Sequence, residues 1–362
     1  MDFSFYSESL IFAILLIAME KTGFVQTAII HYVGSKNNLD PLVLSKSALA
    51  LDEETKTALQ DNLLRRFRGN EEYYSFTHAS SLQFNEVFQY CKKLFAGEPL
   101  EEVSREIAKH LYEQSVHPRV KGGELYVVHF KDVTVSSGTH EAIGLFKTEN
   151  KSLFLDVTQE DQQINLAMRE GVELGKIDKG CLIIDHREEE GYDVLIFDNQ
   201  NRGEEALYWK EKFLGLTPQQ NEFHNTAHFL SMTKQFITGQ LETELKIPKN
   251  QQVELLHRSL DYFKSNESFH IEAFQEQVLQ KEEVIDSFRR FGSRYVENTD
   301  YDIAASFDIS PDAVRKQSRI YKSVLKLDRN FHIYIHGRTD LIEKGVDLDG
   351  RKYYKIYYQE EN

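Results

Sequence analysis

The stretch HPRVKGGELYVVHF, residues 117–130, separates two kinds of sequence pattern. Before it, over residues 99–114, apolar side chains recur every four positions, which is the spacing of one helix face. Pro118 and the Gly122-Gly123 pair interrupt that period. The residues that follow are β-branched and aromatic, as is typical of strands. The change of period therefore predicts that a helical segment ends here and that a β-sheet begins.

Further short runs downstream repeat the strand pattern. They are rich in valine, isoleucine, leucine and phenylalanine, and turns that contain glycine separate them. Together with the first run, they span residues 125–130, 142–146, 182–184 and 194–197. Short strands separated by turn residues predict an antiparallel meander.

Helices and strands occur in blocks along the rest of the chain. The expected helices span residues 52–67, 84–95, 99–114, 205–214, 221–240, 249–265, 270–279 and 281–296. The other expected strands span residues 25–33, 41–44, 320–327, 331–336 and 353–358. Blocks of this kind, rather than alternating βαβ units, predict an α+β fold. We expect an antiparallel sheet flanked by helices, a helical middle region and a C-terminal β-meander.

The length of 362 residues predicts two domains, preceded by a short leader. Residues 10–19 form an apolar run, LIFAILLIAM, which is about half the length of a membrane span. We interpret Met19 as the functional start and residues 1–18 as a leader outside the functional protein. The alternatives are a short membrane-associated leader and an ordinary N-terminal helix. The expected domains are 19–200, of mixed α+β structure, and 201–362, with the helical region and the meander.

The charge of the chain is unevenly distributed. With 58 acidic and 43 basic residues, its formal net charge of −15 argues against a uniformly basic coat for DNA. Residues 309–355, however, contain eleven Lys and Arg against six Asp and Glu, a net charge of +5. Such asymmetry indicates a local surface for a polyanion, although a solvated sheet face with scattered lysines would have the same composition.

A helix start lies at the beginning of this basic segment. Ser310 is a good N-cap and Pro311 fits the first helical position. The surrounding residues 303–316 fit either a helix-turn-helix or a single helix start. The candidate DNA-contact residues on and after this helix are Arg315, Lys316, Arg319, Lys322 and Lys326.

Motifs of cofactor-dependent catalysis are lacking. The chain has neither GxGxxG nor GxxxxGK[ST], so we assign no nucleotide cofactor. His224 and His228 have the i, i+4 spacing of zinc ligands but lack the glutamate of HExxH, so we assign no metal. Cys91 and Cys181 form no CxxC pair and are interpreted as core residues. We therefore assign no catalytic residue and predict a protein that is not an enzyme.

Carboxylates at the ends of the predicted strands leave one enzymatic alternative. Asp178, Asp185 and Asp198 occupy such positions, and a two-metal nuclease uses groups of this kind. Their spacing fits no nuclease motif that we can identify. A metal-dependent nuclease is therefore the third of our functional hypotheses.

Several long blocks together resemble the bacterial 37-kDa nucleoid-associated protein family, in the version seen in Bacteroidetes-type bacteria. The blocks are AIIHYVGSKNN (28–38), IAKHLYEQSVHPRVKGGELYVVHFKD (107–132), LGKIDKGCLII (174–184), EALYWKEKFL (205–214) and VLKLDRNFHIYIHGR (324–338). The resemblance spans about residues 24–358 and leaves out residues 1–18. It supplies no functional residues, so the candidate DNA contacts above rest on charge alone.

The resemblance implies a protein of the nucleoid that binds double-stranded DNA. Because the two cysteines form no disulfide framework, a reducing cytoplasm is the expected compartment, and we expect no membrane partner. The leading expectation is low-specificity binding to phosphates through the local basic face. The alternative is an interaction protein that a DNA enzyme, such as a topoisomerase, recruits to the nucleoid. The sequence leaves the oligomeric state open.

Overall fold

A computed structural model describes residues 22–160, 163–199, 208–299, 302–318, 321, 323–327, 331–335 and 341–360. The chain divides into two compact units, Met1–Gln219 and Gln220–Asn362. The expected leader lies outside the described residues, and so does the expected domain boundary between residues 200 and 201.

A large antiparallel sheet forms the centre of the first unit. The strands of this unit are β1 (Phe24–Val33), β2 (Leu42–Val43), β3 (Tyr74–Phe76), β4 (Gly123–Val135), β5 (Gly138–Thr148), β6 (Ser152–Glu160), β7 (Gln163–Gly171), β8 (Lys179–Ile184), β9 (Asp193–Asp198) and β10 (Leu216–Pro218). Eight of them are hydrogen-bonded in the order β10-β3-β9-β8-β5-β4-β1-β2. The predicted antiparallel sheet is confirmed.

Helices cover both faces of this sheet. They are α1 (Glu53–Leu64), α2 (Glu86–Phe95) and α3 (Leu100–Gln114). Asp52 caps α1, since its Oδ1 accepts a hydrogen bond of 2.7 Å from the backbone N–H of Thr55. Asn85 caps α2 in the same way, through a bond of 2.9 Å from the N–H of Phe88. The predicted flanking helices are confirmed.

Alternation along the central strands creates the two covered faces. On β4, Leu125 and Val127 point into the core that contains the buried residues of α2 and α3. Tyr126 and Val128 point to the opposite side, into a second core shared with α1. The sheet is therefore buried on both faces, which explains its nearly continuous apolar strands.

The remaining two strands of this unit, β6 and β7, pair only with each other. They form a hairpin of nine-residue strands that the sequence analysis did not predict. The signal was present, because Leu153, Leu155 and Val157 alternate with polar residues at strand spacing once Phe154 is set aside.

The second unit combines helices with short hairpins. Its helices are α4 (Glu222–Gln235), α5 (Leu241–Glu244), α6 (Lys249–Ser265), α7 (Ile271–Phe274), α8 (Glu282–Asn298) and α9 (Pro311–Ser318). Its strands are β11 (Ser268–His270), β12 (Ser306–Asp308), β13 (Ser323–Leu327), β14 (Phe331–Ile335), β15 (Ile342–Val346) and β16 (Lys352–Ile356). Its core is aromatic: the ring of Phe229 lies 4.2 Å from that of Phe269 and 5.1 Å from that of Phe274. The helical middle region and the C-terminal strands are confirmed.

Two details of this unit differ from the sequence-based expectation. The helix-turn-helix alternative is wrong, because Ser306–Asp308 is a strand that pairs with Ser268–His270. The helix start at Ser310 and Pro311 is present, as α9. The C-terminal strands are hydrogen-bonded as two separate hairpins, β13–β14 and β15–β16.

Candidate nucleic-acid interface

The short helix α9 is fixed to the second unit by its N-terminus and its apolar side. The Ser310 side-chain Oγ accepts a hydrogen bond of 3.3 Å from the N–H of Ala313. The N–H of Ser310 donates to Thr226 Oγ1 on α4 at 3.0 Å. Ala313 and Val314 are buried. Because one side of α9 is held in this way, the opposite side faces solvent.

Two of the five predicted contact residues lie on the exposed side of α9. Arg315 is exposed and its Nη2 lies 2.5 Å from Asp312 Oδ1, one turn earlier. Lys316 is also exposed, and its Nζ lies 5.5 Å from the ring centroid of Phe223. Both positive charges therefore remain at the surface, although each has a neighbour within the unit.

The side chains of the other three predicted residues lie outside the described part of the chain. Arg319 and Lys322 lie outside the described residues. Lys326 lies on β13 opposite His332, and its side chain is not described. The structure thus brings Arg315 and Lys316 together on one helix and leaves the rest of the predicted set as an expectation.

Helix α6 supports the C-terminal elements of this unit. Helix α9 contacts both α4 and α6. Val253 on α6 packs against Ile333, Ile342 and Tyr354, which lie on β14, β15 and β16. A single helix therefore connects the basic helix α9 with both C-terminal hairpins.

The last hairpin adds cations and aromatic rings that the sequence analysis did not single out. The run RKYYKIYY, residues 351–358, places Arg351, Lys352 and Lys355 between tyrosines. Tyr353, Tyr357 and Tyr358 are 40–69% exposed. Cations interleaved with exposed aromatic rings are typical of surfaces that bind nucleic acids. The signal was visible in the sequence, but counting charges alone did not detect the tyrosines.

The side chain of Tyr357 stabilises the charged form of Lys355. The Nζ of Lys355 lies 4.7 Å from the ring centroid of Tyr357. A hydrogen bond with the Tyr357 side chain raises the pKa of Lys355 above its ordinary value. Arg351 is paired with Asp347 at 3.1 Å and Asp349 at 2.7 Å, so its charge is partly balanced.

The two units differ in charge. The sequence of Met1–Gln219 contains 23 basic and 35 acidic residues, a net charge of −12. That of Gln220–Asn362 contains 20 basic and 23 acidic residues, a net charge of −3. The basic segment 309–355 lies in the second unit, which is therefore the less repulsive of the two toward a polyanion.

The three strand-end aspartates do not lie together in a common site. Asp178 Oδ2 accepts a hydrogen bond of 3.1 Å from the N–H of Asn150. Asp198 Oδ1 lies 3.7 Å from Lys179 Nζ. Asp185 lies at the other end of β8, about 20 Å away for six strand residues. The described residues therefore do not bring these carboxylates together as the nuclease hypothesis requires.

A buried ionic cluster lies beside these aspartates. Lys147 and Lys179 are fully buried, and their Nζ atoms lie 3.1 and 3.2 Å from the two carboxylate oxygens of Glu149. Lys147 Nζ also donates to the hydroxyl of Tyr208, at 3.3 Å. Burial lowers the pKa of Lys147, and the Glu149 charge opposes that shift. The ion pairs link the end of β5 with the start of β8. Because the charged groups are enclosed, they are not open to a substrate.

The two cysteines lie in the core, and the paired histidines stack on each other. Cys91 and Cys181 are both buried in the core, and burial raises the pKa of each thiol. The rings of His224 and His228 are stacked on α4 with centroids 4.1 Å apart. In the described part of the chain, no group of three His, Cys, Asp or Glu side chains could hold a metal ion.

Among those same residues, no helix has the length and apolar character required to span a bilayer.

Comparison with known proteins identifies one family. The profile of the family described as nucleoid-associated protein YejK matches residues 29–349. None of the curated proteins compared with the chain matches it. The matched range begins after the expected leader and contains all five candidate DNA-contact residues. The tyrosine-rich run 351–358 lies just beyond it.

Proposed function

The chain belongs to the family of nucleoid-associated protein YejK, and from this premise we propose that it binds double-stranded DNA directly through the basic side of its second unit. The contacts would be made mainly to phosphates, with little dependence on base sequence. We assign the protein to the nucleoid and give it no enzymatic role.

One observation carries the proposal. Every basic residue of segment 309–355 whose side chain the structure describes is exposed. These residues are Arg315, Lys316, Lys344, Arg351, Lys352 and Lys355. In a chain of net charge −15, a segment whose described cations are all exposed is the part that a polyanion would approach.

Helix α9 with the residues after it and the tyrosine-rich run 351–358 would make different contacts. Arg315 can exchange its pairing with Asp312 for a phosphate, because an exposed ion pair is worth little in water. Arg319, Lys322 and Lys326 belong to the proposed set by their position in the sequence. The exposed tyrosines of run 351–358 would add contacts to sugars or to unpaired bases.

The test measures DNA binding at several salt concentrations. Fluorescence anisotropy of labelled duplexes of two unrelated sequences is the readout. The variant combines Arg315→Glu, Lys316→Glu and Arg319→Glu. We expect weaker binding to both duplexes and a slope of log K against log [salt] that is smaller by about three units, one for each lost phosphate contact.

A matched control separates a local contact from a general charge effect. Lys92→Glu, Lys109→Glu and Lys176→Glu change the net charge by the same amount on exposed positions of the first unit. This control should bind like the unchanged protein, and melting curves should show that both variants fold. Unchanged affinity and slope in the folded Arg315, Lys316 and Arg319 variant would reject the proposal and favour recruitment by a partner such as a topoisomerase.

A further inference from the structure

The β6–β7 hairpin has one face that is apolar and bare. In its register, Leu155 pairs with Met168 and Val157 pairs with Leu166, so these side chains share one face. Leu153 and Ile164 extend that face toward its two ends, where their cross-strand partners are Glu170 and Gln159. All six side chains are between 62% and 76% exposed. We call these six residues the apolar stripe.

The opposite face of the hairpin is mainly polar, although Phe154 on it is 50% exposed. Asp156 Oδ2 accepts a hydrogen bond of 2.5 Å from Arg169 Nε. Thr158 and Asn165 form the next cross-strand pair on this face. Phe154 covers Gly171, where an added Cβ would come within 2.9 Å of the aromatic ring. The hairpin is therefore amphipathic. One face is mainly polar, and the other carries the apolar stripe, which the described residues leave exposed.

Neither water nor DNA suits this stripe. An isolated two-stranded hairpin is marginal in water, and contiguous exposed apolar surface of this extent marks an interaction site. Segment 152–171 contains Asp156, Glu160, Asp161 and Glu170 against a single basic residue, Arg169. This acidic balance would repel phosphates. The occupant must present apolar side chains.

We propose that the stripe is a self-association surface, where the hairpin of a second copy packs face to face against it. The stripe is self-complementary, because its two central pairs are apolar on both strands and contain no charge. A two-fold axis through its centre would match the two copies, and two aligned sheets pack about 10 Å apart. Two strands of nine residues provide a surface about 30 Å long.

The area agrees with the needs of a stable dimer. If a partner covered them completely, six side chains of this size and exposure would supply most of the roughly 800 Å² per partner that a standard interface buries. Charged residues lie on the polar face or at the ends of the hairpin, as expected for an apolar interface core with a polar rim. The stripe shares no residue with the proposed DNA contacts, so the inference does not depend on them.

The first experiment measures the mass of the full chain by sedimentation equilibrium over a range of concentrations. The unchanged protein should dimerise. Val157→Lys combined with Leu166→Lys places two charges in the stripe and should raise the dissociation constant about a hundredfold or more. The matched control, Thr158→Lys with Asn165→Lys, adds the same charge to the neighbouring pair on the polar face and should remain a dimer.

A cross-linking experiment gives a positive signal that does not depend on weakened association. Met168→Cys places a thiol near the centre of the stripe, and Asn165→Cys places one on the polar face. A short bis-maleimide should join two copies of the first variant and not of the second, since the native cysteines are buried. A monomeric unchanged protein, or a dimer that survives the stripe lysines, would overturn the proposal. Equal cross-linking from both faces would overturn it as well.

Discussion

The central sheet and the β6–β7 hairpin are built from the same pairing and the same side-chain alternation, yet their surroundings differ. Leu182 on β8 is fully buried beneath one face of the sheet, whereas Leu166 on β7 is 65% exposed. The sheet has helices on both sides, while the stripe of the hairpin faces solvent within the described residues. Alternation therefore identifies which side chains share a face, but it does not say what covers that face.

The largest expected effect concerns the charges inside the sheet. Glu149→Gln leaves two buried ammonium groups without their shared carboxylate, and we expect the free energy of unfolding to fall by about 3–5 kcal/mol. Asp156→Asn breaks the exposed pair of the hairpin and should cost less than about 1 kcal/mol. Urea unfolding of both variants measures the difference. Equal losses would show that enclosure does not distinguish the two regions.

A second pair of variants compares the same chemical change in both regions. Leu182→Ala removes a fully buried side chain and should reduce the free energy of unfolding by about 2–5 kcal/mol. Leu166→Ala, measured at a protein concentration low enough to keep the chain monomeric, should change it by about 0.5 kcal/mol or less. A large loss for Leu166→Ala in the monomer would mean that the stripe is already covered within one chain.

The third prediction uses pH, which acts on a buried histidine of the sheet. His31 on β1 is buried; its Nδ1 accepts from the N–H of Ser45 at 3.0 Å, and its Nε2 lies 3.0 Å from Ser104 Oγ. Burial, with a smaller contribution from the Arg105 charge, lowers the pKa of His31 from 6.5 to about 4. The folded protein therefore keeps this ring neutral where the unfolded chain binds a proton.

The sign of the pH effect follows from that difference. Well above pH 6.5 both states are neutral at His31 and the residue adds no pH dependence. As the pH falls from about 6.5 to about 4, the unfolded state gains a proton first, so the free energy of unfolding decreases, by about 3 kcal/mol. Urea unfolding at several pH values should show a shallower slope for His31→Gln. An identical slope would contradict the assignment. The hairpin segment 152–171 contains no histidine, so it has no group of this kind.

Much of the fold could be predicted from the sequence, because its signals are local. The cap at Asp52 and the helix start at Ser310 use side chains that bond the backbone three residues away. The change of period at residues 117–130 separated helices from sheet correctly. Residues that are neighbours in sequence determine these features, so no knowledge of distant segments was required.

The candidate site could be predicted only in part. Segment 309–355 stood out by charge, and the exposure of Arg315 and Lys316 agrees with that choice. The tyrosines of run 351–358 were overlooked because charge counting ignores aromatic residues. The helix-turn-helix alternative failed because Ser306–Asp308 pairs with a strand almost forty residues earlier, a contact that no local pattern indicates.

By itself, the sequence determined the periods, the caps, the helix starts and the uneven charge, since each depends on residues a few positions apart. Only the tertiary structure decided which strands pair, which faces are covered and which charges are enclosed. No local pattern around Lys147 and Lys179 indicates that both ammonium groups are buried beside Glu149, with Tyr208 bonded to Lys147. Leu155 and Leu182 read alike until one is exposed and the other is buried. Burial depends on contacts between segments far apart in the chain, and local spacing does not encode them.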